Sequence, residues 1–482
     1  MMHPVLKPGA LLALAILSSI MLASCGGGGG GSNERPITAS GDPETPEPVA
    51  QSCPATFEAA GVPTQWSFTT LSEQRVSNGD SGFRTLEYVR ASADQTNSYF
   101  LYFPSADPLA PVIILNEPYD GISWTDEGVD ASFATLGPGR HPDKFAPAYN
   151  GQDLVRYTPE TSAPDGGSLR ASVSLWLESG FAIIKTYGRF YAGGTLANDV
   201  SDAVAPWYFI AARPETFAGR QVFSTGGSWG GMMALYGAAA APEVVQPTAI
   251  AVTSPPSDLP AVRGYASELE SAEPTMREEI QAFFSPYVRR IDASIAVGSQ
   301  EVSSAFSAEA LCRCLPDRVL VAHDDADTIV PVAQTEQLQA ACPEQVQPIF
   351  WKRTSPPSVE AAGLSHGDFG GRSSAPDVST LLSAWMLSQA EVGPVVVKVD
   401  PESFHGFLSM VAAARSRGED VSYAVAALKP LIAENIRLRA SDGSSEIQTG
   451  AAFLATLLEV RFGLEVTAES VSSALAADQL PF

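Results

Sequence analysis

Positive charge is scarce in this chain: 29 Lys and Arg stand against 54 Asp and Glu, a formal net charge of -25 over 482 residues. A surface that repels phosphate argues against nucleic acid and against anionic lipid as ligands. Histidine is scarcer still, with five positions, His3, His141, His323, His366 and His405, so chemistry that needs an imidazole has few sources. Cysteine is also rare, occurring at Cys25, Cys53, Cys312, Cys314 and Cys342. Cys312 and Cys314 are separated by one residue and have no His at ligand spacing, which argues against zinc; no metal and no other cofactor is expected. Long apolar runs are missing too, for the stretch from Ala10 to Ser24 is 15 residues, and a bilayer span needs roughly 20. What remains, 45% hydrophobic and 17% charged, has the composition of a globular protein with room for one large domain and an appendage.

The N-terminus carries an address. Met1 to Gly9 holds one Lys and one His, the apolar run follows, and Leu22-Ala23-Ser24-Cys25 closes it. This resembles the signal peptide of bacterial lipoproteins, in which small residues precede a Cys that is acylated and becomes the new N-terminus. The resemblance implies that residues 1–24 are removed, that Cys25 is lipidated, and that the protein is exported and membrane-anchored in the cell envelope. Gly26, where an Asp would mark inner-membrane retention by the enterobacterial sorting pattern, favours the outer membrane, facing the periplasm or the exterior. Gly26 to Gly31 and the Pro/Glu/Thr-rich stretch to Ser52 cannot bury a core, so residues 25–52 read as a flexible tether. Export puts Cys53, Cys312, Cys314 and Cys342 in an oxidising compartment; two disulfides are expected, one joining Cys342 to Cys312 or Cys314.

Beyond the tether, apolar strands alternate with helical stretches. Asn97 to Phe103, Pro111 to Asn116, Gly180 to Lys185, Arg220 to Thr225, Ala249 to Thr253, Arg318 to Ala322 and Val346 to Trp351 read as strands. Arg170 to Ser179 and Ala197 to Ala212 read as helices between them, the latter stopped before Pro214. Such alternation predicts a mostly parallel sheet covered by helices on both faces, with the chemistry at the carboxyl ends of its strands.

One turn stands out: Gly226-Gly227-Ser228-Trp229-Gly230 lies between the strand Arg220 to Thr225 and the helical run from Met232 to Ala241. A strand that turns this sharply into a helix forces its central residue into a strained conformation, which Gly226 and Gly230 relieve by removing bulk on either side. Ser228 would then stand exposed at the positive end of a helix, as a nucleophile must. A later strand runs into His323-Asp324-Asp325-Ala326-Asp327, where Asp327 is the acid best placed to orient an imidazole. Asp324 and Asp325 suit the turn, and His323 packs or caps the loop. After Asp327 two histidines remain, His366 in Gly363-Leu364-Ser365-His366-Gly367 and His405 in Ser403-Phe404-His405-Gly406-Phe407. His366 sits between the last strand and the helix Val378 to Gln389, which gives the order Ser, Asp, His; His405 lies beyond the sheet and is the rival.

With these residues assembled, the chain resembles the α/β-hydrolases. Its elbow is similar to that of prolyl oligopeptidase-like enzymes, and Leu115-Asn116-Glu117-Pro118-Tyr119-Asp120-Gly121 is similar to the Asn-Pro-Tyr-Asp turn of the cocaine esterase and X-Pro dipeptidyl peptidase group. Gly180-Phe181-Ala182 and Tyr187-Gly188-Arg189-Phe190 resemble the strand and Arg-bearing loop of the same group. The likeness runs from Tyr99 to Gln389 and implies a Ser228, Asp327, His366 triad, with the Trp229 backbone N–H and the Tyr119 hydroxyl as oxyanion donors. It implies a serine hydrolase acting on a small ester, or alternatively on a short peptide. No Glu pair or Arg is identifiable for a peptide terminus, which favours the ester. A noncatalytic envelope protein on the same scaffold is the rival of a different kind.

The departures concern the flanks. About 70 residues separate Cys25 from the first expected strand, too few for the β-propeller of prolyl oligopeptidases. The long connection between Thr253 and Arg318 predicts a helical cap insertion at about 259–312, with helices from Met276 to Phe284 and Tyr287 to Ile295. Trp124, in the long connection from Gly121 to Arg170, is a further candidate to line the cleft. The hydrolase domain is thus expected over 53–394. Residues 395–482 are expected as a C-terminal helical extension, with helices from Phe404 to Ala414, Ser422 to Leu438, Ala451 to Phe462 and Ala468 to Ala476, in place of a β-rich jelly roll.

Overall fold

Val112, Ile113, Ile114 and Leu115 are all buried. A strand apolar on both faces belongs inside a sheet covered on both sides, and this one stands in the middle of a nine-stranded sheet. The computed structural model describes residues 53–77, 83–94, 96–118, 123–126, 128–130, 173, 176–177, 179–189, 195–272, 304–324, 327, 329–351, 378–390, 396–398, 401–418, 421–433, 435–439 and 445–482.

The chain opens with helix α1 (Cys53–Ala59) and strands β1 (Ser67–Ser77), β2 (Phe83–Ala93), β3 (Thr96–Phe103) and β4 (Val112–Pro118). A short hairpin, β5 (Ser123–Thr125) and β6 (Gly128–Asp130), precedes β7 (Ala182–Gly188) and helix α2 (Leu196–Ala211). Then come β8 (Val222–Gly227), α3 (Trp229–Ala239), β9 (Pro247–Thr253) and α4 (Leu259–Ala272). The series continues with β10 (Val319–Asp324), α5 (Ala333–Ala341), β11 (Val346–Trp351) and α6 (Val378–Gln389).

The sheet order is β1-β2-β3-β7-β4-β8-β9-β10-β11. The strands β7, β4, β8, β9, β10 and β11 run parallel to one another, and β1, β2 and β3 form an antiparallel edge, β3 pairing antiparallel with β7. A mostly parallel sheet with an antiparallel edge, turning from a central strand through Ser228 directly into a helix, is the α/β-hydrolase fold. One face packs Val112, Ile114 and Val222 against Trp207, Phe209, Met232 and Tyr236 of α2 and α3. The other packs Ile113, Leu115, Phe223 and Leu320 against Trp176 and the α6 residues Leu382, Trp385 and Met386.

Each expected strand is present within a few residues of its predicted bounds. The edge strands β1 and β2 were not expected: Ser67–Ser77 is half-exposed and exposed wherever it is described, so it lacks the apolar run that betrays a buried strand. The expected cap helices, Met276 to Phe284 and Tyr287 to Ile295, lie outside the described residues, as does the side chain of Trp124; α4 begins where the insertion is expected to start.

The C-terminal segment holds α7 (Pro401–Ser416), α8 (Ser422–Leu428), α9 (Gly450–Phe462) and α10 (Ala468–Ala476), but it is not wholly helical. The helix expected from Ser422 to Leu438 ends at Leu428, a 3-10 turn follows at Pro430–Ala433, and Asn435–Arg439 is a strand, β13. Pro430 cannot continue a helix interior, and Asn435-Ile436-Arg437-Leu438-Arg439 alternates with the period of a strand. It pairs in parallel with β12 (Val396–Lys398) and antiparallel with β14 (Ser445–Thr449). Leu408, Val411, Leu428, Leu454 and Leu458 are buried in the same apolar cluster as Leu320 of the large sheet.

Two disulfides join Cys53 to Cys314 and Cys312 to Cys342, with Cα separations of 5.6 and 5.4 Å. Cys312 is therefore the partner of Cys342 that the sequence left open against Cys314. The first bridge spans 261 residues, and by loop-closure entropy a cross-link that long stabilises the fold by about 5 kcal/mol. Replacing Cys53 and Cys314 together by Ser should lower the urea midpoint in proportion to that loss, with the unfolding slope changed as the unfolded chain expands.

Candidate active site

The elbow is built by removing side chains. Ser228 has φ 54° and ψ -126°, a left-handed conformation that costs a residue with a Cβ about 1–3 kcal/mol. It persists because its surroundings hold it. The Ser228 N–H donates to the Thr253 carbonyl at 2.8 Å, and its own carbonyl accepts from the Met232 N–H at 3.1 Å. A Cβ on Gly226 would lie 2.2 Å from the Gly230 carbonyl oxygen and 2.9 Å from that of Asn116, and one on Gly227 would lie 2.8 Å from Thr253 Oγ1. Close approach of β8 and α3 thus requires glycine. Ser228 stands at the N-cap of α3 without using its side chain as the cap. It is half-exposed, whereas Trp229 beside it is fully buried.

Neighbouring strand ends are laced to the elbow. As Ser228 bonds to the end of β9, Ser254 just past β9 donates its N–H to the Ala322 carbonyl of β10 at 2.8 Å. Three residues beyond β10 lies Asp327, buried, with Oδ1 accepting from the backbone N–H groups of Ile329 and Val330, each at 2.9 Å. These bonds fix the carboxylate plane and stabilise its charged form. Oδ2 takes neither of them.

His323 shapes this loop. Fully buried, its Nε2 lies 2.9 Å from the Val330 carbonyl and its Nδ1 2.7 Å from Thr335 Oγ1. A carbonyl can only accept, so Nε2 carries a proton, and the ring ties the end of β10 to the far side of the Asp327 loop. His323 Nε2 is 3.9 Å from Asp327 Oδ2. Across the loop, burial and then the Asp327 charge raise the Tyr265 phenol to about 12. Asp324 ends β10 and is buried, while Asp325 lies outside the described residues.

Ser228 and Asp327 therefore lie just past the carboxyl ends of β8 and β10, with β9 between those strands. Tyr119 and His366 lie outside the described residues; the first follows β4 directly, and the second falls 15 positions after Trp351, where β11 ends. The rival, His405, sits on α7 with its ring 5.4 Å from that of Phe462 and Nε2 3.4 Å from Ser409 Oγ. It packs within the C-terminal segment. Cys25 too lies outside the described residues.

A cavity of about 410 Å³ adjoins the elbow strand, walled by Leu115, Trp176, Leu382 and Met386 and touching Gly226 and Gly227. The ion pair of Lys185 with Glu117 lies at its margin. Sequence reasoning missed a second polar group beside the elbow. Arg189 donates from Nε and Nη2 to Asp202 at 2.8 Å each, and Ser98 Oγ donates to Asp202 at 2.6 Å. Asp199, one turn earlier on α2, accepts from Trp229 Nε1 at 3.0 Å. The available signal was a pair of acids three positions apart in a mostly apolar helix.

No protein-family model matches this chain, and no curated protein matches its sequence. Among solved structures it is similar to acetyl xylan esterase 1 from Thermoanaerobacterium sp. JW/SL YS485, at 12% identity over 62% of this chain and 86% of that one, with a TM-score of 0.36. It is also similar to an acetyl xylan esterase from Paenibacillus sp. R4, at 14% identity over 62% and 87%, TM-score 0.38. A third is an acylaminoacyl peptidase from Pyrococcus horikoshii, at 11% identity over 59% and 37%, TM-score 0.35. The fold rests on the strand order and the elbow rather than on these similarities.

The elbow's geometry is directly testable. Gly226→Ala should destabilise the protein by about 3 kcal/mol or more, because the new methyl meets backbone on both β4 and α3 and neither can yield cheaply. Chemical denaturation would read this, and an unchanged midpoint would contradict the close approach.

Proposed function

We propose that the protein is a serine hydrolase that cleaves a carboxylic ester through an acyl-enzyme. The observation that carries the reading is Ser228, a residue with a side chain held at φ 54° between a parallel strand and a helix N-terminus, with a backbone-pinned acid at the end of a nearby strand. Ser228 attacks the ester carbonyl while the His366 imidazole takes its proton; Asp327 orients that imidazole and stabilises its charge. The tetrahedral oxyanion accepts from the Trp229 backbone N–H, in the first turn of α3, and from the Tyr119 hydroxyl. Each donor contributes about 3 kcal/mol to the transition state in a dry site. When the intermediate collapses, the leaving alkoxide takes the proton from His366. Water then repeats the sequence on the acyl-enzyme and releases the acid.

An ester is favoured over a peptide by the state of the nearby cations. Lys185 and Arg189, on and just after β7, are both committed to carboxylates, Glu117 and Asp202. Neither is thus a ready partner for a peptide terminus, whereas the apolar wall of Leu115, Trp176, Leu382 and Met386 suits an uncharged acyl group. With Cys25 lipidated, the enzyme would act at the cell envelope, tethered through residues 25–52.

Hydrolysis of p-nitrophenyl esters from acetate to octanoate checks the assignment. Ser228→Ala and His366→Ala should each lower kcat/KM at least about 10³-fold, and Asp327→Ala by a comparable factor. Tyr119→Phe should lower kcat on the order of 10²-fold with little change in KM. Ester turnover that survives Ser228→Ala would contradict the reading, and no turnover by any folded form would favour the noncatalytic alternative.

A further inference from the structure

The elbow segment is Gly226-Gly227-Ser228-Trp229-Gly230-Gly231. Four of its six residues have no side chain, and Ser228 must keep its own for the reaction. Trp229 is therefore the one residue in the turn whose side chain can anchor it. That side chain is fully buried, and its indole Nε1–H donates to Asp199 Oδ2 at 3.0 Å.

Asp199 is also fully buried, in the first turn of α2, where the helix dipole favours a carboxylate. Gly188, at the end of β7, leaves room for it: a Cβ there would lie 2.8 Å from Asp199 Oδ1 and 2.7 Å from Met233 Sδ. Asp202, three positions on, is held by Arg189 and Ser98. Burial alone would lower the Arg189 guanidinium, but Asp202 and, after it, Asp199 hold it above its ordinary value. The carboxylate on the indole thus sits in the field of a half-buried cation. A charge placed in a core costs several kcal/mol in desolvation, and an apolar residue could pack there but could not accept the indole N–H.

We propose that Asp199 is a positioning residue for the hydrolysis, holding the Trp229 indole so that the Trp229 backbone N–H stays aimed at the developing oxyanion. This rests on the serine hydrolase reading. The Ser228 carbonyl is held by the Met232 N–H, the indole bond fixes the Trp229 side of the same peptide, and a displacement of about 1 Å at an oxyanion donor costs on the order of 10² in rate. Substrate binding does not use this bond, so kcat moves and KM does not.

The test measures kcat and KM for the best p-nitrophenyl ester in wild type, Asp199→Ala, Asp199→Asn, Trp229→Phe and the Asp199→Ala/Trp229→Phe double variant, each checked for native thermal unfolding. Asp199→Ala should lower kcat about 10- to 100-fold with KM within about threefold. Asp199→Asn, whose amide oxygen still accepts from the indole, should recover most of that loss. Trp229→Phe breaks the same bond from the other side and should show the same split even if Asp199→Ala does not fold. The double variant should be no slower than the worse single one, since both remove one interaction. An unchanged kcat in folded Asp199→Ala, an Asp199→Asn variant as slow as the alanine, or additive losses would overturn the proposal while leaving the hydrolase reading intact. A wild type that turns over no ester would overturn both.

Discussion

The closeness of two backbones decides what this fold can do. At Gly226 the end of β8 passes so near the first turn of α3 that a methyl group would fall 2.2 Å from the Gly230 carbonyl. That approach forces the chain through the left-handed region at Ser228 and lifts its side chain out of the sheet. The proposed nucleophile and oxyanion donor both come from this one turn, and the parallel neighbours β4 and β9 hold it on either side.

Charge near the turn is organised by pairing. The chain carries a net charge of -25, yet the acids close to the elbow are each assigned a partner: Asp327 to two backbone N–H groups, Asp202 to Arg189 and Ser98, Asp199 to the Trp229 indole. A buried carboxylate with such partners keeps its orientation. His323 adds a brace, tying β10 to the Val330 carbonyl.

Much of this was legible in the sequence, for reasons that can be named. Central strands such as Val112–Pro118 are buried on both faces, so continuous apolar runs announce them. The elbow announces itself because its geometry tolerates so few residues. Asp327 could be chosen because it follows an apolar strand at the carboxyl edge. The antiparallel edge was not legible: Ser67–Ser77 faces solvent along much of its length and reads as polar sequence. The break after Leu428 turns on Pro430, which cannot continue a helix interior, and on the strand-like alternation that follows it. Asp199 was invisible because composition places acids at the surface, and only the fold shows that this one faces an indole. Pairing among the four cysteines was narrowed by spacing but needed Cys53 to come within 5.6 Å of Cys314, Cα to Cα, to be decided.

The central claim is that Ser228 is an activated nucleophile. Peptide mapping by mass spectrometry after treating the folded protein, freed of residues 1–32, with a fluorophosphonate tests it most directly. The account predicts a stoichiometric adduct on Ser228 that His366→Ala abolishes and His405→Ala leaves in place. An unmodified Ser228 in folded protein, or an adduct on another serine, would contradict it.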